Sequence, residues 1–314
     1  MDFNPFLAKP MFEPGHNIDR VASDAEDLVQ FSLVVATLGR TTELSRLLQT
    51  LADQTHQSFE VIVVDQNAPG YLDETLRSFE GRLTIHHLPS ERKGACTARN
   101  RGADLAKGTW VMFPDDDCWY PPGMLARAAA AVSSGDLDFF CGRAAGPEGQ
   151  AVFSLYTQGA ARIGRHNVWS TSIEWMAAIR RDLFLKVGGF DEKLGPGSGT
   201  PFGAYEINDL VLALLNAGGV GQYDPDWYGY HDFQLDSLGS PDSITKMHHY
   251  ARGMGYVVRK HRLGAYHLGK VAHRSAIGIA YFLARGNLGR ARRSYAIVAG
   301  ILSGWLQAGD SLAL

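Results

Sequence analysis

Three adjacent aspartates, Asp115, Asp116 and Asp117, follow the apolar run Trp110-Val111-Met112-Phe113. A carboxylate buried without a partner is costly, and three together repel one another. A divalent cation removes that conflict. Hard oxygen ligands suit Mg2+ or Mn2+, and Mg2+ is commonly held by one or two carboxylates together with substrate phosphates. The plain alternative is a solvated acidic turn or a helix cap. Here the run ends an apolar strand and continues into Cys118-Trp119-Tyr120-Pro121-Pro122 rather than into more charge, which favours a site. A further acid, Asp65, closes a second apolar stretch, Val61-Ile62-Val63-Val64.

Strand and helix patterns alternate around these acids. Residues 31–36 read as a buried parallel strand. Leu44, Leu47, Leu48 and Leu51 recur at helical spacing. Further strands are expected at 61–64, 83–87 and 110–113, and helices at 71–79, 95–106 and 123–132. Such alternation predicts a doubly wound α/β half with a mostly parallel sheet. Ligands of these sheets bind outside the carboxyl ends of the strands, where Asp65 and the aspartate run fall. The second half is less regular. It holds an expected strand at 138–141, a helix at 181–187, a glycine-rich loop at 195–201, a helix at 205–217 and a strand at 220–223. Two helices, about 271–283 and 288–306, are expected in the tail. The chain divides into an arm (1–29), a main domain (30–240) and a basic helical region (241–314).

The 314 residues are 45% hydrophobic and 20% charged, an ordinary globular composition. Three cysteines, Cys96, Cys118 and Cys141, make no disulfide framework and fit no zinc spacing. A reducing, cytoplasmic location is expected, with no secretory leader and no membrane span. The net charge of −3 hides an asymmetry: residues 242–314 carry 11 Lys and Arg against 2 acids. The remainder holds 19 bases and 31 acids. An acidic body with a basic tail implies two surfaces.

The order FSLVVATLGR, EVIVVDQN, GACTARNRGADLAKGTWVMFPDDDCWYPPG and VGGFDEKLGPGSGTPFGAYEINDL resembles the inverting family 2 glycosyltransferases with the GT-A fold. The resemblance covers about residues 31–235. More narrowly, YARGMGYVVRKH at 250–261 is similar to members that assemble bacterial surface polysaccharides. The resemblance implies a nucleotide-sugar donor and a glycan or lipid-linked acceptor. It implies that Ala36, Thr37 and Arg40 touch the nucleotide, that Asp65 accepts a hydrogen bond from its base, and that Arg99 lies near the diphosphate. Asp115 and Asp117 match the carboxylates that contact ribose and metal, with Asp116 between them. Which two of the three act is left open. Capping of the next turn is the alternative role for Asp65.

The chemistry explains these needs. Negative charge grows on the diphosphate as the anomeric bond breaks, and a metal stabilises it. The attacking hydroxyl must lose a proton, which calls for a carboxylate base. Relatives commonly carry two acids, a spacer and Asp at a helix start; here the run is Glu206-Ile207-Asn208-Asp209. Ile207 cannot take a proton, so Glu206 is the first choice for base and Asp209 the second. The alternative for Glu206 is a carboxylate that complements the helix dipole. The absent acid at Ile207 supports a rival reading, a catalytically weak nucleotide-sugar-binding scaffold. A nucleotidyltransferase is a third reading, poorly served by Thr37-Leu38-Gly39-Arg40. A processive synthase is not expected, because the Gln-x-x-Arg-Trp signature and membrane spans are absent.

His231 stands where some GT-A enzymes place a third metal ligand, although a histidine among aromatics is more often a core residue. Trp169 and Trp175 are candidates to shape the acceptor cleft. Arg290, Arg292 and Arg293 adjoin the apolar 295–299 run, which suits an anionic membrane surface, with peripheral attachment at the inner membrane. No nucleic-acid motif accompanies the basic stretch, so no nucleic-acid partner is expected. Packing of this helix on the body or on a second copy, giving a homo-oligomer, is the competing outcome.

Overall fold

The computed structural model describes residues 29–150, 156–232 and 240–311, with side chains described to 309. The expected arm at 1–29 lies almost wholly outside the described residues. In chain order the elements are β1 (Phe31–Thr37), α1 (Thr42–Ala52), β2 (Phe59–Asp65), α2 (Asp73–Arg77), β3 (Ile85–Pro89), α3 (Ala95–Leu105), β4 (Trp110–Met112) and β5 (Cys118–Trp119). Then come α4 (Met124–Val132), β6 (Phe139–Ala145), β7 (Ala161–Arg162), β8 (Ala177–Arg180), α5 (Arg181–Lys186), α6 (Glu206–Asn216) and β9 (Gly221–His231). Three long helices close the chain: α7 (Pro241–Lys260), α8 (Gly264–Ala284) and α9 (Leu288–Ser311).

The strands form one mixed sheet in the order β3-β2-β1-β4-β8-β6-β9-β5, with β7 beside β9. The expected parallel arrangement runs through β3, β2, β1 and β4. Beyond β4, β8 enters antiparallel to both its neighbours, and β6 and β9 return to parallel pairing. Strand alternation sends Val34, Ile62 and Val64 into one core and Leu33, Val35, Val61 and Val63 into the other. Both faces of β1 and β2 are therefore covered, which explains their near-continuous apolar sequences. On the first face α3 lies close to the sheet. A Cβ at Gly102 would collide with Val34, so only glycine permits this approach.

Two departures from the sequence expectation bear on function. The strand expected at 220–223 extends to His231. Asp224-Pro225-Asp226 breaks its apolar alternation, and the register with β6 shifts between Cys141 and Arg143. Such an irregularity accommodates proline within a strand. The extension matters because it pairs His231 with Cys118, next to Asp117. The tail holds three helices rather than two. Helix α7 starts with a recognisable cap: Ser240 Oγ accepts a hydrogen bond from the Ser243 N–H at 3.2 Å, and Pro241 follows it. Glycines that obscure the α7 period mark its crossing with α9, where Gly255 meets the Ile301 backbone and Gly304 that of Arg252. Tyr256, Val257 and Val258 belong to the main core, so α7 packs directly on the sheet domain.

Candidate active site

The carboxyl ends of β1 and β4 open into a cleft of about 1180 Å³. Ala36 bridges to Asp115 just past β4, which sets the aspartate run beside the first strand. Of the residues singled out in the sequence, Ala36, Arg40, Arg99, Asp115, Asp116, Asp117, Glu206 and His231 line this cleft. Trp175 also lines it. Pro196 and Gly197 bring the glycine-rich loop to its edge, where the Ala95 N–H donates to the Pro196 carbonyl at 3.0 Å.

Arg99 is the centre of one half. It is buried, and its guanidinium reaches Asp115 at 2.5 Å and Glu206 at 3.3 Å. A third acid, Glu174, stands in the same wall, half-buried. Arg99 pairs with two of these carboxylates, and its charge acts on the third. Burial pushes Asp115 up to about 7, with Arg99 opposing the rise and Glu174 and Asp117 adding to it. Burial also raises Glu206 and Glu174 above the usual glutamate range, and Arg99 offsets only part of that rise. Glu206 is delivered by the first turn of α6. The preceding Tyr205 has φ 76°, a left-handed conformation that costs a non-glycine residue roughly 1–2 kcal/mol. Its ring lies edge-on to Trp169, with centroids 5.8 Å apart. Trp169 therefore braces the helix start rather than lining the cleft.

Arg40 organises the other half, contacting Asp116 at 2.5 Å and Asp117 at 2.8 Å. His231 Nε2 lies 3.2 Å from Asp117 Oδ1. Its Nδ1 lies 2.8 Å from the Asp232 carbonyl, so Nδ1 carries a proton and donates it there. Nε2 is then the nitrogen that faces Asp117. Burial would lower the histidine, but Asp117 outweighs it and holds the imidazole above its ordinary value.

These atoms can be tested as a divalent-cation site. Among the described residues, no three His, Cys, Asp or Glu side chains converge into a ready-made cage. Asp117 and His231 do converge, and the Nδ1 hydrogen bond fixes the ring as a ligating imidazole requires. Two protein ligands, with phosphate oxygens and water completing the shell, suit Mg2+ or Mn2+. The pair fits such an ion through Asp117 Oδ1 and a deprotonated His231 Nε2; Asp117 Oδ2 is held by Arg40 and Asp115 by Arg99.

Besides Trp169, three singled-out residues stand outside the cleft lining. Thr37 is buried at the end of β1. Asp65 is buried too: Oδ1 accepts from the Asn67 backbone N–H at 2.9 Å and its amide at 2.7 Å, while Oδ2 meets His87 at 2.9 Å. This is an Asx turn, the capping role that the sequence offered as the alternative. Asp209 does not join Glu206. One turn further along α6, it turns away to Lys260 at 2.7 Å and His261 at 2.8 Å. Lys260 also reaches Asp191 at 2.8 Å, and the Tyr256 hydroxyl donates to that carboxylate at 2.8 Å. Sequence reasoning missed Glu174. Its signal was an acid set between Ile173 and Trp175 in an otherwise apolar approach to β8.

Known proteins share this fold. The structure of S. aureus TarS residues 1–349 overlays with a TM-score of 0.55 at 17% identity, covering 89% of this chain and 92% of that one. A mannosyltransferase from Pyrobaculum calidifontis, solved with GDP-Man and Mn2+, overlays with a TM-score of 0.61 at 15% identity, covering 88% and 87%. The fold is that of the GT-A glycosyltransferases. The glycosyl transferase family 2 model matches residues 32–187. The chain belongs to this family. An uncharacterized glycosyltransferase of Haemophilus influenzae is 28% identical over 192 residues, 59% of this chain and 61% of that protein. A PGL/p-HBAD biosynthesis glycosyltransferase of Mycobacterium bovis is 38% identical over 110 residues, 32% of this chain and 41% of that protein. The matches therefore span between two fifths and three fifths of these curated relatives.

Proposed function

We propose that the protein transfers a sugar, with inversion, from a nucleoside-diphosphate donor to a hydroxyl of a glycan or lipid-linked acceptor. The observation that carries this reading is the convergence of Glu206, the aspartate run and His231 on one cleft. Its volume exceeds the 300–1,000 Å³ typical of small-molecule pockets, leaving room for two substrates. Family membership and neighbours crystallised with UDP-GlcNAc or with GDP-Man and Mn2+ support a nucleotide-sugar donor.

Asp117 and His231 would hold Mg2+ or Mn2+, which when bound offsets the charge developing on the diphosphate. Arg40 and Arg99 add fixed positive charge along the same wall. A nucleotide seated past β1 would run along Ala36 and Arg40. Glu206 would accept the acceptor proton through its carboxylate. Its raised proton affinity suits it to that task, because a base is most effective when its pKa lies near the working pH. Glu174 supplies a second acid in the wall where the sequence has Ile207 instead of one, which weakens the case for a scaffold without activity.

The reading is tested by calorimetric titration with UDP-, GDP- and dTDP-sugars, with and without Mn2+. Wild type should bind one donor class in an Mn2+-dependent way, and Asp117→Ala should remove that dependence. Retained Mn2+-dependent affinity in Asp117→Ala would overturn the metal assignment. Binding without transfer or donor hydrolysis would favour the scaffold.

A further inference from the structure

The α8–α9 hairpin has a surface that the cleft does not explain. No residue of α8 is buried, although the helix is 21 residues long. Eight of the twelve large hydrophobic side chains exposed among the described residues lie on this hairpin. On α8, Tyr266, Ile277 and Tyr281 fall on one stripe at 3.6-residue periodicity, with Arg274 between them and with Lys270, whose Nζ donates to the His166 carbonyl at 2.8 Å. On α9, Leu288, Tyr295, Leu302 and Leu306 form a second stripe, with Arg292 among them. Tyr266 is 77% exposed and Tyr295 65%. Between 264 and 309 the chain has six Lys and Arg and no Asp or Glu. Neither helix is long and apolar enough to cross a membrane, a property that holds throughout the described residues.

We infer that this hairpin seats the protein on an anionic bilayer surface. Apolar and aromatic side chains interleaved with cations, without acids, match an interface of acyl chains beneath negative headgroups. Charge argues against a second copy as the occupant. A two-fold contact places the same patch on both subunits, and here it would set cations against cations. The inference deepens the proposed function and rests on it for the acceptor. Helix α9 also turns Arg293 into the cleft, beside Lys246 and Tyr250 of α7. Docking would thus bring the tail wall of the cleft to the bilayer, where a lipid-linked acceptor is presented.

Vesicle co-sedimentation of the full chain tests this. Vesicles of phosphatidylglycerol and phosphatidylcholine in equal parts should pellet the protein, with affinity at least about tenfold above that for phosphatidylcholine alone and falling with salt. Arg274→Glu/Arg292→Glu should lose pelleting, and so should Tyr266→Ser/Ile277→Ser/Tyr295→Ser. All these positions are on the hairpin's outer stripes, so Mn2+-dependent donor binding should survive in both variants. That binding assay keeps failure of the docking claim separate from failure of the proposed function. Equal affinity for neutral vesicles, or no pelleting with either, would overturn the inference. So would a two-chain mass in analytical ultracentrifugation that the serine variant returns to one chain.

Discussion

Helix α6 carries two acids one turn apart into opposite electrostatic settings. Glu206 joins Asp115 and Glu174 around a single guanidinium, Arg99. Asp209 joins Asp191 around Lys260, with His261 and Tyr256 completing the hydrogen bonds. In the first cluster burial raises all three acids, Arg99 offsets only part of the rise, and they hold protons more tightly than usual. In the second, burial would raise Asp191, but Lys260 outweighs it and holds the carboxyl below the usual range. Burial would lower Lys260 too, and Asp209 and Asp191 hold it above its ordinary value. Burial that countercharge offsets only in part prepares an acid for proton transfer, and a match of charge fastens one helix to another.

The sharpest way to break this comparison is to neutralise each acid in turn. Glu206→Gln should keep donor binding and lower transfer by about 10²–10⁴-fold, the usual contribution of a positioned general base. Asp209→Asn should keep transfer near wild type per folded molecule. Steady-state kinetics with a separate donor titration would show it. A reversed result would move the base to Asp209.

Removing the cation from the matched cluster comes next in size. Lys260→Ala leaves Asp191 and Asp209 without their shared countercharge. Breaking a buried pair typically costs 3–5 kcal/mol, and partial solvent access to Lys260 places the expected loss near 3 kcal/mol. Urea denaturation measures it. The sign of the pH dependence follows from the two shifts. Asp191 is depressed, so its contribution is present above its unfolded pKa, near 4, and fades as pH falls toward the lower folded value. Lys260 is raised, so its contribution is full below its unfolded pKa, near 10.4, and fades as pH rises through the higher folded value.

The donor half was legible because local signals and long-range structure agree there. β1, β2 and α3 are written as apolar runs and a small-residue helix, and the aspartate run sits where a wound sheet places ligands. Ala36, Arg40, Arg99, Asp115, Asp116 and Asp117 line one cleft for that reason. The rest required tertiary information. Asp209 shares a helix turn with Glu206, but its direction is set by Lys260, 51 residues away. Asp65 is occupied by its own turn and by His87 on β3. Glu174 acquires meaning only when β8 is inserted beside β4, bringing it to Arg99. Helix α7 was hidden because glycines needed for its crossing with α9 interrupt its apolar period.

The central claim is that burial, only partly offset by the shared guanidinium of Arg99, raises the proton affinity of Glu206 for use as a base. Transfer measured against pH, at saturating donor, in wild type and in Glu174→Gln tests it most directly. Transfer should rise with pH as Glu206 loses its proton, with the midpoint above the ordinary glutamate value. Glu174→Gln removes a competing negative charge and should move that midpoint down. A midpoint in the ordinary carboxylate range that Glu174→Gln leaves in place would contradict the account.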